Sequence, residues 1–167
     1  MDVFLLRHGE AGNRISMPAK DSGRSLTQSG RKEIEDIADS IRDRLDLKFD
    51  RIASSPLARA LQTAEIVAKA YKGSSKLETW DELRPEGSHP ELEKRLSKLR
   101  RDGSVLLVGH EPYLSALMGE IISNGSARVS LKKGGIAKIR LSSFSPRATG
   151  ELRWLLTPGQ LKKLQRP

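Results

Sequence analysis

Apolar residues fall in two rhythms along this chain, and the two alternate. Short unbroken runs, Val3-Phe4-Leu5-Leu6 and Val105-Leu106-Leu107-Val108, have the character of strands buried on both faces. Between and after them apolar positions recur at helical spacing. Ile34, Ile37, Ala38, Ile41 and Leu45 form one such stripe, with Thr27 placed to cap it. Leu57, Ala60, Leu61, Ala64, Val67, Ala68 and Tyr71 form a second, with Pro56 expected at the first helical position behind a serine cap and Gly73-Ser74-Ser75 as its end. Leu92, Leu96 and Leu99 predict a short helix, and Leu114, Leu117, Met118, Ile121 and Ile122 a further one beginning near Pro112.

Two short strands are predicted at Asp50–Ala53 and Lys76–Thr79, and an irregular stretch at Asp81–Pro90. Beyond the turn at Gly134-Gly135, Ile136–Leu141 and Glu151–Leu156 alternate as strands and predict an antiparallel pair at one sheet edge. The basic tail from Thr157 on is expected to be partly ordered. Alternation of strand and helix predicts an α/β fold: a three-layer α/β/α sandwich on a mostly parallel sheet. Strands at Val3, Arg51 and Val105 are expected to be parallel neighbours.

Composition narrows the class. The 167 residues read as one domain, 1–167, without repeat or linker. No apolar run approaches the ~20 residues of a membrane span, and the N-terminus lacks the features of a signal peptide, so a cytoplasmic protein is expected. Cysteine is absent, which removes disulfides and thiolate metal sites. The formal net charge of +9 favours acidic partners. The basic residues are dispersed and not interleaved with aromatics, so they read as a solvated face and not as a nucleic-acid platform.

Candidate chemistry sits where strands stop. Arg7-His8-Gly9-Glu10 follows the first apolar run, His110-Glu111-Pro112 follows the central one, and Arg59 lies in the first turn of the helix after Ser54-Ser55. In a parallel sheet these ends share one edge, so Arg7, His8, Arg59 and His110 can converge. Two guanidiniums and two imidazoles suit a phosphate dianion. A cation at a helix N-terminus opposes the macrodipole, and an anion beside Arg59 would offset that. Gly9 would let backbone approach the ligand. The chain has no His-Glu-x-x-His and no Asp-rich ligand loop, and the two arginines would repel a cation, so no metal is expected.

These residues identify a resemblance. Leu6–Ala11, Arg24–Thr27 with Gly30, Ser54–Ala60 with Gln62-Thr63-Ala64, Leu107–Pro112 with Leu114-Ser115, Lys132–Gly135, and finally Leu152, Trp154, Leu155 and Pro158 follow the order and spacing of the histidine phosphatase (phosphoglycerate mutase-like) superfamily. Within it the chain most resembles the small SixA-type phosphohistidine phosphatases. The resemblance implies that His8 takes the phosphoryl group, that Arg7, Arg59 and His110 bind its oxygens, and that no cofactor is needed. Mutase-like members place a glutamate as proton donor after the third strand. Here Pro85 falls near that position, a departure SixA-type members share, and Glu82 and Glu86 are candidate general acids by proximity only.

A phosphorylated imidazole leaves more readily than an alkoxide, so a site without a dedicated acid points to phosphohistidine in a signalling phosphotransfer protein. No insertion is long enough to form a helical lid, which agrees with a protein substrate. A phosphatase on small phosphomonoesters, and a phosphoprotein-binding module without turnover, remain the rival readings.

Overall fold

The computed structural model describes residues 1–13, 16–17, 21–72 and 76–164. The expected end of the second helical stripe at Gly73-Ser74-Ser75 lies outside the described residues. Six strands are described: β1 (Asp2–Arg7), β2 (Arg51–Ser54), β3 (Lys76–Thr79), β4 (Ser104–Gly109), β5 (Ile136–Ser143) and β6 (Thr149–Leu156). The helices are α1 (Gln28–Asp43), α2 (Ala58–Ala70), α3 (His89–Leu96), α4 (Tyr113–Ser123) and α5 (Pro158–Leu164), with a single 3-10 turn at Asp81–Leu83.

The strands form one sheet in the order β3-β2-β4-β1-β5-β6. β3, β2, β4 and β1 run parallel, while β5 and β6 close the β1 side antiparallel. The predicted parallel neighbours and the antiparallel edge pair are therefore present. Strand periodicity divides the core into two layers. Val3 and Leu5 of β1, with Val105 and Leu107 of β4, face one cluster with Leu92 and Leu96 of α3 and Leu114, Leu117 and Met118 of α4. Phe4 and Leu6, with Leu106 and Val108, face the other, built from α1, α2 and α5. Helices thus cover both faces, as a three-layer sandwich requires.

One local expectation needs correction, and the tail gains a helix. α2 begins at Ala58 with Leu57 in the cap position and no side-chain cap, two residues later than Pro56 behind a serine. The Ser55 hydroxyl that was expected to cap the helix is hydrogen-bonded to His110 at 2.8 Å. The tail forms α5 from Pro158, and its fully buried Leu161 docks on the sheet face that α1 covers. Ser40 of α1 donates to the Leu161 carbonyl, and Lys162 pairs with Glu33 at 2.9 Å. The signal for this helix was in the sequence as Thr157-Pro158, a cap residue before a proline at the first helical position.

The element that matters most for the site is the join between β1 and α1. Thr27 caps α1 as expected, accepting from the Gly30 amide at 3.0 Å, and its own amide donates to the Glu10 carbonyl at 2.9 Å. Any Cβ at Gly30 would collide with that same Glu10 carbonyl oxygen. Glycine there lets the first turn of α1 pack directly on the loop that carries His8.

Candidate active site

Register brings the site together. In the parallel ladder Arg7 lies opposite Gly109, and Ser54 lies opposite Val108. The pairing continues one residue past each strand: the His8 amide donates to the Gly109 carbonyl at 3.1 Å, and the Ser55 amide to the Val108 carbonyl at 3.0 Å. His8, Ser55 and His110 therefore emerge side by side at the C-terminal edge of the sheet. The two imidazole rings are 5.1 Å apart at 56°.

A cavity of about 630 Å³ opens above them, lined by Arg7, His8, Arg59 and His110 together with Asp21, Arg24, Arg84, Pro85, Glu86, Glu111 and Lys133, among others. All four residues expected to converge do so. Five of these lining side chains are cationic and three are acidic, so the cavity is built for an anion.

Each principal side chain is held by a specific partner. His8 Nδ1 lies 2.7 Å from the Gly9 carbonyl. A carbonyl only accepts, so Nδ1 carries the proton and Nε2 keeps its lone pair. Burial lowers His8 to about 4; the Gly9 carbonyl opposes this, and Arg59 and Arg7 add to it. Burial, then the neighbouring His8 and Arg59, lowers His110 to about 3. Both rings are neutral at pH 7. His110 Nε2 shares its hydrogen bond with Ser55, while its buried Nδ1 has no partner among the described residues.

Arg7 Nη1 donates to the Leu131 carbonyl at 2.9 Å, which fixes the guanidinium, and its buried Nε has no partner among the described residues. Arg59 is buried at 5 % exposure, not reaching into solvent. It donates to the Asp21 carbonyl at 2.9 Å, and its guanidinium lies 3.3 Å from the Asp21 carboxylate. Asp21 also holds Arg24 at 2.9 Å. The anion expected beside Arg59 at the start of α2 is thus supplied in part by the chain itself. Thr63, one turn on from Arg59, donates to its carbonyl at 2.7 Å and accepts from the Gly9 amide at 3.2 Å, so α2 clamps the histidine loop.

That last contact revises the expectation for Gly9. Its amide and carbonyl are both engaged within the protein, by Thr63 and His8, and a Cβ there would lie 2.7 Å from Ile34 of α1. Helix packing, not ligand approach, demands glycine at this position. The two candidate acids also separate. Glu86 lines the cavity beside Pro85, but Glu82 is turned to Arg95, which donates to both its oxygens at 2.9 and 3.0 Å. The sequence reading missed Asp21 and Lys133 in the site, and treated Glu111 only as an acid adjoining a histidine. Lys133, paired with Glu10 at 2.6 Å, reaches the cavity from the turn before β5, a placement only the tertiary fold reveals. Among the described residues no three His, Cys, Asp or Glu side chains are grouped to hold a metal ion.

The model of the histidine phosphatase superfamily (branch 1) matches residues 3–97, which span β1 through α3 and include three of the four central site residues. The chain belongs to the histidine phosphatase superfamily. An uncharacterised protein of Picosynechococcus sp. is 37% identical over 147 residues, covering 84% of this chain and 85% of that protein. Among solved structures, the protein histidine phosphatase SixA complexed with tungstate superposes with a TM-score of 0.84 at 29% identity, covering 97% of this chain and all, 100%, of that one. SixA of Agrobacterium tumefaciens gives 0.73 at 28% identity over 94% of this chain and 97% of that one. A mycobacterial glucosyl-3-phosphoglycerate phosphatase complexed with VO3 shares the fold, with a TM-score of 0.73 at 16% identity over 92% of this chain and 97% of that one. This superfamily member has no helix, among the described residues, long and apolar enough to cross a membrane.

Proposed function

We propose that this chain is a phosphatase working through a covalent phosphohistidine on His8, and that its substrate is phosphohistidine in a phosphotransfer protein. The observation that carries the chemistry is the fixed tautomer of His8. Its Nδ1–H is tied to the Gly9 carbonyl, so a neutral Nε2 faces chemistry inside a cavity rich in guanidinium. In the first step the Nε2 lone pair forms a bond to phosphorus as the bond to the leaving group breaks. In the second, water forms the new O–P bond and the P–Nε2 bond breaks, releasing inorganic phosphate and restoring the ring. Arg7 and Arg59 are placed to hold the equatorial oxygens through both steps, and His110 to donate to one of them. Their guanidiniums are held by carbonyls of the protein, so little reorganisation accompanies the reaction.

Two features support phosphohistidine as the substrate class. The likeness to SixA extends over nearly the whole of both chains. The loop between β3 and α3 contributes only a 3-10 turn and the short Arg84–Glu86 wall to the cavity. A histidine side chain standing off a protein surface can enter such a site.

The test is phosphate release from a phosphohistidine-bearing phosphotransfer protein against a panel of alkyl and aryl phosphomonoesters, with alkaline quench to trap the alkali-stable phosphoryl group on His8. The protein substrate should give the highest kcat/KM, with label on His8. Equal or better turnover of simple alkyl phosphates would assign the site to small metabolites.

A further inference from the structure

Register places His110 at the sheet edge, but it does not decide which ring nitrogen carries the proton. The serine expected to cap α2 does. We propose that Ser55 is a positioning residue for phosphoryl transfer: its hydroxyl donates to His110 Nε2, and so fixes both the angle of the ring and the tautomer in which Nδ1 holds the proton. The inference rests on the phosphatase reading of the same site and adds a residue that acts through His110.

Ser55 is a fixed platform for this contact. It is fully buried and directly follows β2. Its amide donates to the Val108 carbonyl at 3.0 Å, and its carbonyl accepts from the Ser54 hydroxyl at 2.9 Å. With the backbone held on both sides, little but the hydroxyl is left to turn. Its oxygen lies 2.8 Å from His110 Nε2 and accepts from the Leu57 amide at 3.4 Å.

Hydrogen-bond accounting sets the direction. A hydroxyl has one proton and two lone pairs, and a neutral imidazole has one N–H and one bare nitrogen. Burial keeps the His110 ring neutral at pH 7, so it carries a single N–H. Were that proton on Nε2, Ser55 would accept twice, from Nε2 and from Leu57, and its own O–H would have no acceptor among the described residues. Ser55 is fully buried and is not among the residues that line the cavity, so neither solvent nor ligand could meet that O–H. With Ser55 donating, the Leu57 amide, the hydroxyl and Nε2 are all satisfied. The donor left over is then the N–H of His110, a residue that does line the cavity. A ring held in one tautomer and one orientation needs no reorganisation as charge develops on the phosphoryl oxygens.

The experiment has two arms, and the first needs no turnover. A long-range 1H–15N correlation spectrum of the 15N-labelled chain at pH 7 shows which nitrogen of each histidine is protonated. The chain has three histidines, and loss of signals in His110→Ala identifies those of His110. His110 should be protonated on Nδ1 and bare on Nε2; a protonated Nε2 overturns the proposal. The second arm is a mutant cycle of Ser55→Ala and His110→Ala, read with p-nitrophenyl phosphate once wild-type turnover and label on His8 are established. Failure of those two measurements would overturn the phosphatase reading, while the ring signals still decide this one. Ser55→Ala should lower kcat by about 10- to 10²-fold, with a much smaller change in KM. In a His110→Ala background the same substitution should cost less than about threefold, because its effect passes through that ring. Equal losses in both backgrounds, a loss confined to KM, or no loss overturns the assignment. Thermal unfolding shows whether Ser55→Ala folds; should it not, the wild-type tautomer decides alone.

Discussion

One carbonyl decides how His8 can react. Because the Gly9 oxygen takes the Nδ1 proton, the attacking nitrogen is fixed before any substrate arrives. Burial then keeps the ring neutral down to about pH 4, and His110 to about 3. Both shifts are downward, so the unfolded chain, whose imidazoles titrate near ~6.5, binds protons that the fold refuses. Stability is therefore unaffected by these rings well above pH ~6.5, falls as pH drops below it, and levels only below about 3, where His110 also protonates in the fold. His8→Ala should abolish turnover and trapped label while the fold survives, and it should also lose less stability than wild type between pH 7 and 4.5. Urea midpoints at the two pH values check this, and equal losses in both proteins would refute the neutral, buried state of His8. Arg59 gives a second prediction at this scale. Arg59→Lys keeps the charge but not the planar fork that reaches Asp21 and an anion together, so kcat/KM should fall by about 10²–10³. The melting temperature should stay within a few degrees, since Arg24 still pairs with Asp21.

At the scale of elements, the docking of α1 onto the β1 loop links fold to site. In an exposed helix Gly→Ala stabilises by about 1 kcal/mol. At Gly30 the sign should reverse, because the new methyl would meet the Glu10 carbonyl and push α1 off the loop that carries His8. Gly30→Ala should lower both the melting temperature and kcat; a stabilised, fully active variant would show that the contact yields. Leu161→Ala separates fold from chemistry in the other direction. It removes a fully buried side chain of α5 that does not line the cavity, and should cost about 2–5 kcal/mol while leaving kcat per folded molecule unchanged.

The same elements show what the sequence can and cannot disclose. β1 and β4 were legible because a strand buried on both faces must be apolar throughout, and α1 because its stripe is regular and Thr27 caps it. The strand ends then fixed the meeting of Arg7, His8, Arg59 and His110. The start of α2 was misread because Ser55, a good cap by residue type, is hydrogen-bonded to His110, a partner 55 residues away. α5 was passed over because only Leu161 of its seven residues is buried, too little to make a period. Asp21, Lys133 and Glu111 enter the site through loop geometry, which no periodicity encodes.

For the whole molecule the relevant quantities are charge and access. The net charge of +9 is spread over the surface, and the cavity carries part of it, with Arg7, Arg24, Arg59, Arg84 and Lys133 outnumbering the acids among its lining residues. Such a field acts on encounter over a Debye length of about 8–10 Å at physiological salt. It cannot distinguish one phosphoryl group from another, since every substrate carries that dianion. What differs is the rest of the partner. An acidic phosphotransfer protein presents many charges to the basic rim at once, whereas an aryl phosphate presents only its phosphoryl group. Raising ionic strength from about 0.05 to 0.5 M should therefore reduce kcat/KM steeply for a phosphohistidine protein, through association, and only slightly for p-nitrophenyl phosphate. Neutralising rim residues outside the central site, as in Lys132→Gln with Arg84→Gln, should flatten the salt dependence for the protein substrate without a comparable effect on the small one. If both substrates responded equally to salt, the basic rim would serve the phosphoryl group alone, and the case for a protein substrate would rest only on the open cavity and the likeness to SixA.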